Sequence, residues 1–227
     1  MATFVLIHGA GDVGWYWHLV EAELRARGHD TIAPDLPCDD DSAGLPEYAN
    51  TVTGAIGDRT NLIVVAQSLG GFTAPLVCDR VAVELLILVA PMIPAPGEAP
   101  AGYCTHTRYD EEVLDRYDDT IALFYQDVSP ELAAEALNRA RSQAEARMEK
   151  RWSVTHGCCA WWSALVHIGR RLRNTGRADD HLRQSGAPHP RAHARPVPVW
   201  AATGHGVGSL QAMLAPAHGD PQRSANG

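Results

Sequence analysis

The chain has 227 residues and a mass of 24.5 kDa, the length of one domain and enough to bury a core without disulfide or metal staples. Apolar residues make up 45% and charged residues 20%, which excludes global disorder, and no apolar run approaches the roughly 20 residues of a membrane helix. A net charge of −8 speaks against nucleic acid or an anionic membrane as the main partner.

The charge is unevenly placed. Residues 1–150 hold 24 Asp and Glu against 10 Lys and Arg, whereas residues 151–227 hold 3 against 9. Seven of the eleven His also fall after residue 150, and Glu149 and Lys150 are the last of their kinds. Such a change marks a domain boundary or a basic tail. It also fits a change of reading frame in a GC-rich gene, whose shifted codons yield Arg, Ala, Pro, Gly and His. Met1 to His8 lacks a basic leader, and its apolar run is too short for a signal peptide. Cys38, Cys78, Cys104, Cys158 and Cys159 form no even framework and no CxxC pair. The expected compartment is the reducing cytoplasm.

The first ninety residues alternate strand and helix. Thr3–Ile7 is a short apolar, β-branched run that ends at His8-Gly9-Ala10-Gly11, a buried strand feeding a Gly-rich turn. Trp15 to Arg27 carries Trp15, Leu19, Val20 and Leu24 near helical spacing, with Gly28 as its stop. Asp30–Ala33 reads as a short strand halted by Pro34 and Pro37. Leu45 to Gly57 reads as a helix with Pro46 near its start. Asn61 to Ala66 is a continuous apolar run, the pattern of a strand covered on both faces. Gly70 to Val81 reads as a helix in which Pro75 sits in the early turns or makes a kink. Leu85 to Ala90 is another buried strand. This alternation predicts an α/β fold with a mostly parallel sheet and helices on both faces.

Residues 91–102 are rich in Pro, Gly and Ala and leave the sheet. Asp110 to Lys150 is acidic and mostly helix-forming, with Val113, Tyr117, Ile121 and Phe124 on one stripe. The expectation is one domain over 1–227, with a helical cap inserted at about 93–150 and an atypical segment at 151–227. Trp161–Ile168 fits a strand or a helix. Pro196-Val197-Pro198-Val199-Trp200 fits an edge strand, since its prolines bar it from a central ladder.

The chemistry sits at Ala66-Gln67-Ser68-Leu69-Gly70-Gly71. A Ser at a sharp strand-to-helix turn is a nucleophile elbow, which needs small residues two before and two after the Ser. Ala66 and Gly70 meet that need. The turn raises the Ser68 hydroxyl above the sheet and aims the Leu69 backbone N–H toward developing negative charge. The plainer alternative is a Ser that only caps a helix. No GK[ST] follows, which excludes a P-loop. Gly9, Gly11 and Gly14 do match GxGxxG, with Asp30 or Asp35 as the acidic partner of a dinucleotide site. In the other reading of this turn, the Ala10 backbone N–H is the second oxyanion donor. His8 beside it reads as a brace for the loop rather than as a base.

Phe4-Val5-Leu6-Ile7-His8-Gly9-Ala10-Gly11, then Trp15, Asp35-Leu36-Pro37 and Ala66-Gln67-Ser68-Leu69-Gly70-Gly71, together resemble the α/β-hydrolase superfamily. Within it they are most similar to the small esterases and hydroxynitrile lyases of the plant methylesterase type. The resemblance is firm over 3–92, loose over 93–150 and stops there. It implies an α/β-hydrolase fold with Ser68 as nucleophile and the Ala10 and Leu69 N–H groups as oxyanion hole.

A Ser hydroxyl needs a base, and the base a carboxylate that fixes its tautomer. The superfamily order is Ser, acid, His. His205, in Gly204-His205-Gly206, is the expected base and Asp180 the expected acid, although no apolar strand ends before Asp179. Glu98 is an alternative acid, and His181, His189, His193 and His218 are weaker bases. Cys158-Cys159 reads as two incidental thiols. His189 and His193 have HxxxH spacing, but Pro190 forbids a clean helical ligand face, so no metal is expected. Asp39-Asp40-Asp41 reads as a solvated loop. Trp15, Tyr16 and Trp17 line a pocket or enter the core.

The function expected is a cofactor-free serine hydrolase acting on a small ester. The alternatives are a hydroxynitrile lyase-type reaction on the same fold, a hydrolase-like chain without a complete triad, and a nicotinamide enzyme. Substrate identity and oligomeric state are not encoded in a legible way.

Overall fold

Short β-branched runs pair side by side only if each buries both faces, and the chain supplies helices between them to do so. The computed structural model describes residues 1–95, 97–108, 120–144 and 148–149, and the backbone of 199–202. Among the described residues, five strands form one sheet: β1 (Thr3–Ile7), β2 (Asp30–Ile32), β3 (Leu62–Gln67), β4 (Val83–Val89) and β5 (Val199–Ala202), in the order β2-β1-β3-β4-β5 and all parallel. The helices on its faces are α1 (His18–Ala26), α2 (Leu45–Ile56) and α3 (Gly70–Cys78).

The period of two along each strand divides the core. Val5 and Ile7 of β1 join Leu62, Val64 and Ala66 of β3 under α2 and α3, where Tyr48, Val52, Phe72 and Val77 close the layer. Phe4 and Leu6 join Val65 and Val89 on the other face, under Trp17, Val20 and Leu24. α3 is buried over most of its length, so it reads as apolar all round. Pro75 lies in its second turn, and the helix stops at Cys78 rather than running to Val81.

The element bounds follow local chemistry. Gly28, with φ +80, ends the α1 segment as expected, although Gly14–Trp17 forms a 3-10 turn before α1 begins. The Gly44 N–H donates to Glu47 Oε2 at 2.6 Å and opens α2, with Pro46 in its first turn. Of the edge strand expected over 196–200, Val199 and Trp200 fall in β5, which begins after the prolines and is the outermost of the described strands on the β4 side.

In the Pro-rich stretch after β4, α4 (Pro100–Thr107) starts with Pro100 in its first turn, where a missing N–H costs nothing. Of the stripe Val113, Tyr117, Ile121 and Phe124, the first two lie outside the described residues. In α5 (Thr120–Phe124) Leu123 is buried, while Ile121 and Phe124 are 42% and 57% exposed. A further helix, α6 (Pro130–Arg139), is capped by Ser129, whose hydroxyl accepts from the Leu132 N–H at 3.3 Å. Trp161–Ile168 lies outside the described residues.

Gly14 packs so closely on β2 that a methyl group there would collide with the Ala33 carbonyl. Gly14→Ala should therefore lower stability by about 1–3 kcal/mol, read from the urea denaturation midpoint.

Candidate active site

In an order of 2-1-3-4-5, β1 and β3 are neighbours whose connections leave to opposite sides, and a crevice opens between their carboxyl ends. Ile7 pairs with Ala66 there. The next residues, His8-Gly9-Ala10 and Gln67-Ser68-Leu69, therefore come off the sheet side by side. These are the two turns singled out in the sequence.

Ser68 has φ +49, a left-handed conformation in a residue that carries a Cβ. Such a conformation costs of order 1 kcal/mol and persists only where surrounding bonds hold it. They do: the Ser68 N–H donates to Val89 O at 3.2 Å, and its carbonyl accepts from the N–H groups of Gly71 at 3.0 Å and Met92 at 2.9 Å. The chain thus passes from β3 into α3 through one strained residue whose side chain is half-buried.

Glycines allow that passage. A methyl on Gly70 would stand 3.1 Å from the His8 and Ile7 carbonyls, and one on Gly71 would collide with the Met92 carbonyl. A methyl on Gly9 would stand 3.2 Å from the Ser68 Cβ and 3.0 Å from Asp12 Oδ2. The oxyanion-turn candidate and the elbow are therefore in van der Waals contact. Among the described residues, no acceptor takes the N–H of Ala10 or of Leu69.

His8 is buried and fully engaged. Its Nε2 accepts from the Leu36 N–H at 3.0 Å, which leaves Nδ1 to carry the proton and donate to Gly9 O at 2.8 Å. Burial lowers its pKa, in keeping with this neutral tautomer. It braces the turn and has no nitrogen left for a substrate proton.

Asp12 escaped the sequence reading. Burial raises its carboxyl to about 6, while a hydrogen bond from the Gly9 backbone acts in the opposite direction. No periodicity or motif announces a carboxyl folded back over its own turn.

The acidic partners needed by the dinucleotide reading are engaged elsewhere. Asp35 accepts from the Gly14 N–H at 2.8 Å and pairs with Arg141 at 3.0 Å, and Asp30 pairs with Arg59 at 3.2 Å. The aromatic run divides: Trp17 is core, Trp15 stacks on His18 beneath the Arg139 guanidinium, and the Tyr16 hydroxyl donates to Ala136 O at 2.8 Å.

Glu98 is held by a partner the sequence did not suggest. Its carboxylate pairs with His106 Nδ1 and accepts from the Ala95 N–H at 2.7 Å. The Tyr103 ring packs edge-on against both His106 and Phe72 of α3. His205, Asp180, His181, His189, His193, His218 and Cys158-Cys159 lie outside the described residues.

A model of the alpha/beta hydrolase family matches residues 4–217. That match runs well beyond residue 150, where the residue-level resemblance ends. Methylesterase 7 of Arabidopsis thaliana is 32% identical over 111 residues, covering 43% of this chain and 43% of that protein. Esterase PIR7B of Oryza sativa subsp. japonica is 32% identical over 108 residues, covering 42% of this chain and 40% of that one. The chain therefore spans less than half the length of these curated relatives. An extracellular alpha/beta-hydrolase from a Paenibacillus species superposes with a TM-score of 0.56 at 19% identity, over 68% of this chain and 72% of that one, which is a likeness of fold. No described helix is long and apolar enough to cross a membrane.

Asp12 gives a sign-definite test. Its folded pKa lies above the unfolded carboxylate value, so the native state holds the extra proton and stability falls as pH rises through about 4 to 6. Asp12→Asn should raise stability at pH 7–8 by on the order of 2 kcal/mol and leave it unchanged at pH 4, measured by chemical denaturation at each pH.

Proposed function

Since the chain belongs to the alpha/beta hydrolase family, we propose that it is a serine hydrolase of small carboxylic esters, acting through an acyl-enzyme. The observation that carries this reading is the left-handed Ser68 at the β3–α3 turn, in contact with Gly9 across the crevice. That backbone lifts the hydroxyl off the sheet at the point where two N–H groups, from Ala10 and Leu69, have no acceptor among the described residues.

The reaction follows from those groups. Ser68 Oγ attacks the ester carbonyl and passes its proton to an imidazole. The carbonyl oxygen becomes an oxyanion that accepts from Ala10 and Leu69, each donor worth roughly 3 kcal/mol in the transition state. The carbon–oxygen bond to the alcohol breaks as the imidazolium returns the proton. Water then attacks the acyl-Ser68 carbonyl with the same imidazole as base, and the acid leaves. His205 is the base and Asp180 the carboxylate in the order Ser, acid, His. No step calls for a cofactor. A reducing, cytoplasmic setting is part of this reading, since the five Cys form no even framework and no CxxC pair.

A second assignment of base and acid has its own observation. Glu98 grips His106 Nδ1, and Ser68, Glu98 and His106 also follow the order Ser, acid, His. The ring chain Phe72–Tyr103–His106 links this pair to α3.

A fluorophosphonate probe with peptide mapping tests the reading. The expected result is stoichiometric modification of Ser68, lost in Ser68→Ala together with at least about 10³-fold of ester turnover. A folded wild-type chain that takes up no probe contradicts it and favours a chain without a working triad. His205→Ala and His106→Ala separate the two bases: the true base costs at least about 10³-fold in kcat and the other little.

A further inference from the structure

The segment that follows α6 crosses directly over the turn after β1. The Arg141 N–H donates to Gly11 O at 2.7 Å, and Gln143 Oε1 accepts from the Gly11 N–H at 3.3 Å. Both backbone groups of Gly11 are thus held by residues more than 120 positions further along the chain.

The segment is itself anchored. Arg141 pairs with Asp35 at 3.0 Å and lies 3.8 Å from Asp39. Gln143 Nε2 donates to the Tyr48 hydroxyl at 3.2 Å, and the Ala144 N–H donates to Cys38 O at 2.9 Å. The approach is close enough to dictate the residue beneath it. Gly11 has φ +68, and a methyl there would stand 2.9 Å from the Arg141 carbonyl.

The Gly11 N–H belongs to the peptide group that follows Ala10. The neighbouring plane, which carries the Ala10 N–H, is held at its Gly9 carbonyl by His8 Nδ1 at 2.8 Å, so with Gly11 also held the two planes that meet at Ala10 are fixed from either side. We infer that Gln143 is a positioning residue of the oxyanion hole, locking the Ala10–Gly11 peptide from the cap side and coupling the seating of residues 141–144 to turnover. This inference rests on the hydrolase reading above. Gln143 touches no reacting atom; it acts through Gly11.

The test compares Gln143→Leu, which removes the acceptor, with Gln143→Glu, which keeps an oxygen facing the Gly11 N–H. Backbone hydrogen exchange at Gly11 is read beside kcat and KM. The leucine variant should lose protection at Gly11 and about 10- to 100-fold in kcat, with KM nearly unchanged, because misplacing one donor harms only the transition state. The glutamate variant should recover most of both. Unchanged exchange and unchanged kcat in Gln143→Leu would overturn the inference. So would a parallel fall in kcat and denaturation midpoint that Gln143→Glu fails to rescue, which is the mark of a purely structural contact. If the wild-type chain neither takes up the fluorophosphonate nor turns over ester, the hydrolase reading fails. Exchange at Gly11 then still decides whether Gln143 holds the peptide.

Discussion

The contact between two turns governs this molecule. β1 and β3 end at the same level, and Gly9 lies against the Ser68 Cβ with no room for a methyl between them. Gly70 lets α3 start over the carbonyls of Ile7 and His8, and Gly71 lets the loop after β4 reach the Ser68 carbonyl. With these approaches in place, Ser68 adopts a left-handed backbone conformation, with φ +49. The strain is offset by three backbone hydrogen bonds. In the proposed reaction, a hydroxyl held this way would need no reorganisation to meet a substrate.

Around that contact the turn after β1 is braced from two directions. His8 ties it from below to Leu36, using both ring nitrogens. Residues 141–143 hold Gly11 from above. The brace below is local, built from elements that fold together in the first ninety residues. The one above comes from the segment after α6, and Tyr125 and Ala136 of the same region also bond Tyr16.

Much of this was legible in the sequence, for physical reasons. Strands buried on both faces must read as unbroken apolar runs, and Thr3–Ile7 and Leu62–Gln67 do so. A sharp turn between a strand and a helix demands small residues, and Ala66 and Gly70 announce it. What stayed hidden depends on folding distant segments together. Nothing in the pattern brings Gln143 to Gly11 or His106 to Glu98. Asp12 folds over its own turn, and its proton affinity comes from burial, which composition does not report. Ile121 and Phe124 are exposed in α5, which the sequence did not tell, because helical periodicity marks a face without saying what covers it. β5 was readable only in part: the expected strand at 196–200 shares Val199 and Trp200 with the observed Val199–Ala202.

The account stands on where one hydroxyl and two amides point. A crystal structure of the chain carrying a phosphonate on Ser68 measures this most directly. It should show Ser68 with positive φ and a phosphoryl oxygen about 2.7–3.1 Å from the backbone nitrogens of both Ala10 and Leu69. A Ser68 in an ordinary helical or extended conformation, or a phosphoryl oxygen turned to solvent away from those nitrogens, would contradict it.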